Sequence, residues 1–310
     1  MCPLKIHEQI YSASEQKGCR AKVIPVSRIR DVKDEIESYH RQGIFDETFY
    51  RDRLGNFEFD VPASYPEARC IIVASAPQPQ QKVKFSFRGN IFHFIIPLTY
   101  SHETDRTVEN ILLDVLRPAG FTLRRLRLPV KLVAVRSGLA KYGKNNITYI
   151  ENMGSFHRLV TFLTDIPAEG DSWQKLELME QCKKCNACVK KCPTGSITPD
   201  RFIIRAERCL TFCNESPNDL PDWVRPSWHN SLIGCMTCQL VCPVNKKQSN
   251  WFEEKEEFTE DETELILSRR SSRKQLSSKT MAKLKRLYLW EDFELLSRNL
   301  GVLIKRNSSQ

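Results

Sequence analysis

Apolar positions recur along the first half of the chain with two different spacings, and the alternation between them lays out a succession of elements. Residues 4–17 carry the spacing of a helix that Gly18 ends, and the run Ala21, Lys22, Val23, Ile24 predicts a short strand. A second helix follows, capped by Ser27 and running to about Gln42 before Gly43. Cys70, Ile71, Ile72, Val73 and Ala74 form a compact β-type run. Residues 83–87 and 91–96 flank Gly89 and Asn90 as the arms of a hairpin with a tight turn. Val108, Ile111, Leu112 and Val115 share one face of a helix over 105–117, stopped by Pro118 and Gly120. A strand at 122–126, a helix at 129–137 and strands at 147–150 and 156–163 complete the pattern, that of an α/β or α+β domain reaching to about residue 168.

Beyond the linker at 167–173 the periodicity fades into a segment rich in Pro, Asn, Asp and Cys, whose order has to come from bound metal. After Trp251 an acidic stretch at 253–264 leads into helices at 261–269, 278–288 and 291–305. Phe293, Leu296, Leu300, Leu303 and Ile304 lie on one side of the last. So short a helical tail buries too little to fold alone, so it is expected to pack on the main body. The expected fold class is α+β, with an α/β domain at 1–168, a ferredoxin-like domain at 169–250 and C-terminal helices at 251–310.

Composition narrows the function classes. The chain has 310 residues with 41% apolar content, enough for a real core, and no run of eighteen apolar residues that would span a membrane. Its first residues are too polar for a signal peptide, which predicts a soluble cytoplasmic protein with no membrane partner. The formal charge of +9 falls to about +5 if two clusters of roughly two negative charges each are bound. A basic run remains near the C-terminus, made of Arg269, Arg270, Arg273, Lys274, Lys279, Lys283, Lys285 and Arg286. It reads either as a solvated helix face or as a surface for RNA or another acidic partner.

Nine of the twelve cysteines fall between positions 182 and 242 at short spacings, which is the mark of metal binding rather than of a disulfide scaffold. Cys2, Cys19 and Cys70 stand alone as ordinary thiols. Cys182-x2-Cys185-x2-Cys188-x3-Cys192-Pro193 is the ferredoxin run, in which three thiolates hold one 4Fe-4S cluster and the fourth reaches the other. Cys235-x2-Cys238-x3-Cys242-Pro243 is one ligand short of the same run, and Cys209 or Cys213 can supply it. Zinc modules use C-x2-C pairs but rarely this longer run. Crossed ligation gives cluster one Cys182, Cys185, Cys188 and Cys242. Cluster two receives Cys192, Cys235, Cys238 and one of the two intervening cysteines.

A domain of about 165 residues before the clusters is more than an electron carrier needs, so an electron acceptor is expected there. The segment Gly138-Leu139-Ala140-Lys141-Tyr142-Gly143-Lys144-Asn145-Asn146, followed by Gly154-Ser155-Phe156 and Thr164-Asp165-Ile166-Pro167, resembles the G-L-G-x-x-G-K-N, G-S and T-D elements of the epoxyqueuosine reductase family. The likeness continues through Cys192-Pro193-Thr194-Gly195-Ser196-Ile197, Arg208-Cys209-Leu210, Gly234-Cys235-Met236-Thr237-Cys238-Gln239 and Cys242-Pro243-Val244-Asn245. Pro66-Glu67-Ala68-Arg69 and Arg298-Asn299-Leu300 are similar to further elements of that family. Members are cobalamin-dependent enzymes with two 4Fe-4S clusters, related more distantly to reductive dehalogenases.

The resemblance implies Cys209 as the fourth ligand of cluster two. It also implies a base-off cobalamin in a cobalamin-reductase-like N-terminal domain, bordered by Gly138, Lys144, Asn145, Gly154 and Ser155. Cobalt would supply the hard chemistry and the protein the positioning and protonation. One departure stands out: where the family carries a catalytic aspartate, this chain reads Leu126-Arg127-Leu128-Pro129-Val130-Lys131. Tyr100 and His102 are the candidate proton donors that remain. The expected function is therefore an iron-sulfur oxidoreductase acting on an unidentified substrate, a small molecule or a corrinoid protein, and fed by a reduced donor such as ferredoxin or flavodoxin. Two alternatives stand beside it: an electron-transfer or reductive-activation protein with no corrinoid of its own, and a tRNA epoxyqueuosine reductase.

Overall fold

The structure is a computed structural model that describes residues 5–98, 102–268 and 273–308. From the N-terminus the elements are α1 (Ile6–Gln16), β1 (Arg20–Pro25), α2 (Arg28–Arg41), a single turn α3 (Glu47–Phe49), β2 (Cys70–Pro77), β3 (Gln80–Phe87) and β4 (Asn90–Ile96). Next come α4 (Glu103–Leu116), β5 (Leu123–Arg125), α5 (Val130–Arg136), β6 (Lys141–Tyr142), β7 (Thr148–Tyr149) and β8 (His157–Thr164). The rest are α6 (Ala187–Lys191), α7 (Leu210–Glu215), α8 (Thr237–Leu240), β9 (Phe252–Phe258), α9 (Glu260–Leu267), α10 (Ser278–Arg286) and α11 (Phe293–Ser308). They gather into two compact units. One holds residues 1–78, 103–186 and 199–204, and the other holds 79–102, 187–198 and 205–310. These units cut across the three segments expected from the sequence.

In the first unit four strands form a sheet in the order β1-β2-β8-β5, each neighbouring pair antiparallel. The first seven residues of β2 are buried, because the sheet is covered on both faces and successive side chains alternate between them. Cys70, Ile72 and Ala74 pack with Ile10 of α1 and Val108, Leu112 and Leu116 of α4. Ile71 and Val73 turn the other way, onto Ile29, Val32 and Ile36 of α2 and Leu132 and Val133 of α5. The unbroken apolar run in β2 thus marks a strand between two helical layers. Asp105, 1% exposed, receives the guanidinium groups of Arg125 and Arg158. Ser27 stands before α2, but its hydroxyl makes no capping bond.

The second unit is built on a three-stranded sheet, β4-β3-β9. The hairpin turns at Arg88 and Gly89, both with φ in the left-handed region. β9 differs from the sequence expectation, which read its glutamates as the approach to a helix. It pairs parallel to β3, with the register shifting between Lys82 and Lys84. The reason lies in charge: Lys82 meets Glu254 at 3.0 Å and Lys84 meets Glu257 at 3.2 Å, so the acidic strand finds its partners on a basic one. Phe258 at its end stacks on Phe85 at 4.8 Å between ring centres. The core beneath collects Val83, Phe85, Ile96, Ile266, Leu284 and the expected apolar face of α11. A reciprocal Thr259 and Glu262 cap starts α9.

Candidate functional site

In the first unit the chain approaches the cysteine segment strapped to β6. Met179 N donates to Tyr142 O at 2.8 Å, and the 3-10 turn Glu180–Cys182 follows, with Cys182 N on Met179 O at 2.9 Å. Cys185 N then donates to Cys182 O at 3.3 Å. The Lys144 ammonium reaches this loop, donating to Cys185 O at 3.1 Å and Asn186 Oδ1 at 2.9 Å.

In the second unit Cys188 lies in α6 and Cys192 just beyond it, with Cys192 N on Cys188 O at 3.0 Å. Cys209 immediately precedes α7, Cys238 lies in α8, and Cys242 leads into the turn Pro243–Asn245. Burial pushes the Cys238 thiol well above its ordinary pKa, and the neighbouring thiols of Cys235, Cys209, Cys188 and Cys192 push it further. The Cys209 thiol is pushed up to about 11 by burial and then by Cys235 and Cys192, against hydrogen bonds from Thr211. Thiolates that destabilise one another in this way are a donor set suited to a cationic iron core. Cys213 has a different environment: it is buried with Leu210 and Val224, and the charge acting on it is that of Arg298. Polar groups also reach the sulfurs of Cys235 and Cys192. Asn230 Nδ2 lies 3.2 Å from Cys235 Sγ, Thr237 Oγ1 lies 3.5 Å from it, and Thr194 Oγ1 lies 3.5 Å from Cys192 Sγ. Among the described residues no three His, Cys, Asp or Glu side chains form a group that could hold a single metal ion.

The glycine segment of the first unit forms the hairpin of β6 and β7. An added Cβ on Gly143 would stand 2.6 Å from Tyr149 Cε2 and 2.7 Å from Asn145 Oδ1, so only glycine fits the turn. Asn145 is buried and binds within the hairpin, donating from Nδ2 to Tyr149 Oη at 2.9 Å and accepting from Ile147 N at 3.3 Å. Gly138 and Gly154 both adopt left-handed φ, +77° and +58°. Ser155 is buried beside Gly154.

His157, which the sequence pattern did not single out, is buried two residues beyond Ser155. Its Nδ1 faces Gly154 O at 3.1 Å and its Nε2 faces Thr148 Oγ1 at 3.0 Å. A carbonyl accepts only, so Nδ1 carries the proton of the neutral ring. Burial lowers its pKa to about 4, against the pull of the Gly154 carbonyl.

The segment 126–131 leads from β5 into α5 with Leu126 and Leu128 buried in the core. Its facing carboxylate comes from elsewhere in the chain: Arg127 N donates to Glu58 Oε2 at 2.8 Å, and Glu58 N to Arg127 O at 2.8 Å. Lys131 Nζ donates to Asn146 O at 3.3 Å. Of the two candidate proton donors, Tyr100 lies outside the described residues. His102 is exposed in the second unit, edge-on to Tyr288 with 5.3 Å between ring centres.

Part of the basic run is neutralised by the acidic residues around it. Lys283 pairs with Glu262 at 2.5 Å, Arg286 with Glu256 at 2.5 Å, and Arg273 with Glu291 at 3.5 Å. Arg269 and Arg270 lie outside the described residues.

Comparison with known proteins bears on the cysteine segment first. Residues 181–245 match the model of the 4Fe-4S double cluster binding domain, and the chain carries that domain. The epoxyqueuosine reductase of Listeria monocytogenes is 36% identical over 125 residues, 40% of this chain and 32% of the relative. That of Staphylococcus aureus is 28% identical over 234 residues, 70% of this chain and 58% of the relative. The matches thus span between about a third and somewhat over half of these relatives' length. A solved epoxyqueuosine reductase in complex with a tRNA-Tyr epoxyqueuosine-modified stem loop shares the fold, with a TM-score of 0.68 at 20% identity, over 96% of this chain and 80% of that one. Among the described residues no helix is long and apolar enough to cross a membrane.

Proposed function

The chain belongs to the epoxyqueuosine reductase family, and from that premise we propose that it is an iron-sulfur reductase that moves single electrons through two 4Fe-4S clusters to an acceptor in its N-terminal half. The observation that carries the reading is the double-cluster domain at 181–245, which contains all nine of the crowded cysteines. Cluster one takes Cys182, Cys185, Cys188 and Cys242. Cluster two takes Cys192, Cys209, Cys235 and Cys238, a choice supported by the mutual effect of Cys209, Cys235, Cys192 and Cys238 and by the separate surroundings of Cys213. When bound, the clusters supply one-electron transfer. The chain's own contribution is to hold the sulfurs, to donate to Cys235 Sγ from Asn230, and to fix the Cys185 loop through Lys144.

The acceptor in this reading is cobalamin, which supplies low-valent cobalt chemistry when bound. Gly138 and Gly154 both turn through left-handed backbone, which suits the close approach of a flat ring, but at Gly138 the Gln174 amide lies 3.5 Å from where a Cβ would stand. Lys144 and Asn145 suit it less, because their donors serve contacts within the unit. That second observation favours the other reading, in which the clusters reduce a partner such as a corrinoid protein and the chain keeps no corrin. In both readings the electrons come from a reduced donor such as ferredoxin or flavodoxin.

The discriminating experiment is reconstitution under anaerobic conditions with iron, sulfide and cobalamin, followed by desalting and a visible spectrum. Retained corrinoid bands support the first reading; cluster absorbance alone supports the second. A tRNA substrate, which the relatives' name and the stem-loop complex suggest, requires salt-sensitive tRNA binding. The pairing of Lys283, Arg286 and Arg273 with glutamates leaves less free positive charge for it.

A further inference from the structure

The two segments that bring Cys209 and Cys235 to one place are fastened by a single dipeptide of the C-terminal helix. Arg298 of α11 is 7% exposed, and its guanidinium donates to four carbonyls at the end of α7. Nη2 reaches Cys213 O at 3.2 Å and Asn214 O at 3.0 Å; Nη1 reaches Ser216 O at 2.9 Å and also Asn218 O. A helix ends with carbonyls that have no partner inside it, and its C-terminus carries partial negative charge. A planar cation with five donors satisfies both needs, and α7 is the helix that Cys209 opens. Cys213 N donates back to Cys209 O at 3.2 Å, so the grip at the far end of α7 reaches the cysteine through one helical turn.

Asn299 extends the grip to the second segment. It is fully buried, accepts from Arg298 Nε at 3.1 Å, and donates from Nδ2 to Asn214 O at 3.1 Å and to Leu232 O at 3.0 Å. Asn214 in turn donates to Gly234 O at 2.8 Å, one residue before Cys235. Ser231 Oγ donates to the same carbonyl at 3.0 Å, and Gly234 turns through φ +65° to present Cys235.

We propose that Arg298 and Asn299 are positioning residues for cluster two. They lock the Cys209 and Cys235 segments together through contacts that all lie within the second unit. The inference rests on the ligand assignment proposed above. It makes α11 part of the redox centre, so a change in this helix is expected to reach one cluster and spare the other.

The test uses the full reconstituted chain carrying R298K or N299S, two mild substitutions either of which suffices. R298K keeps the charge but replaces a rigid fork of five donors with three on a flexible stem; N299S removes the bridge to Leu232 O. Electron paramagnetic resonance of the reduced protein, with the two signals assigned by C182S and C209S, reads each cluster. The expected result is a changed line shape and several-fold faster iron loss to a chelator for the signal that C209S removes, with the other signal unaltered. Both signals unchanged in R298K and N299S, or both altered together, would overturn the proposal. Failure of the ligand assignment looks different: C209S itself would then leave both signals in place.

Discussion

Lys144 donates to the carbonyl of Cys185 at 3.1 Å, so the glycine hairpin and the first cysteine loop are joined through one ammonium. The same group donates to Asn186 Oδ1 at 2.9 Å. A hydrogen bond from a charged donor contributes more than a neutral one, though partial exposure reduces the gain. K144M is expected to weaken the loop by about 1–2 kcal/mol and to speed the bleaching of visible absorbance under a chelator. Bleaching at the parental rate would show that the loop is held without it.

Cys209 and Cys213 are one helical turn apart, and their substitution by serine should give opposite results. C209S is expected to drop the iron content of the reconstituted protein from about eight to about four per chain. C213S should leave it near eight, because Cys213 packs with Leu210 and Val224 under the influence of Arg298 rather than of other thiols. Iron and acid-labile sulfide assays decide, and equal losses in the two variants would count against the assignment.

Gly143 is held by contacts that leave no room for a methyl group. In G143A the new carbon must displace the Tyr149 ring or the Asn145 amide, and the two are themselves hydrogen-bonded at 2.9 Å. The expected cost is about 2 kcal/mol, read as a lowered midpoint in urea unfolding. Gly170 serves as the control. Nothing lies within 4 Å of its added Cβ, so G170A should change stability by no more than about 0.5 kcal/mol.

Much of this architecture was legible because the residues that decide it are close in sequence. Val108 and Leu112, spaced by one helical turn, placed α4, and the unbroken apolar run from Cys70 placed β2. The cysteine spacing pointed to iron without help from the rest of the chain. β9 was not legible, since its glutamates look like a helix approach until Lys82 and Lys84 stand beside them, some 170 positions away. His157 was missed for a related reason. A lone histidine in a strand carries no signal, and its burial between Gly154 O and Thr148 Oγ1 exists only once β7 and β8 are in place. Arg298 and Asn299 were visible only as part of a family likeness, because their partners lie about 65 to 85 residues upstream.

His157 also makes the first unit sensitive to acid, and the sign follows from its buried neutral ring. Folding lowers its pKa from 6.5 to about 4, so between those values the unfolded chain binds a proton that the folded one refuses. Its contribution is therefore fully present above about pH 6.5, declines as the pH falls, and at pH 4 and below is reduced by up to about 3 kcal/mol. H157Q cannot take the proton, yet keeps an amide able to donate toward Gly154 O. It should be less stable than the parent at pH 7.5 by about 1–2 kcal/mol for the lost fit, and the gap should close by about 1 kcal/mol at pH 5.5. Urea unfolding of the cluster-loaded proteins, followed by far-ultraviolet circular dichroism, measures both. Acid loss of the clusters lowers the two proteins alike, so their difference isolates the histidine. A gap constant from pH 7.5 to 5.5 would mean that His157 takes up its proton in the folded protein as readily as in the unfolded one.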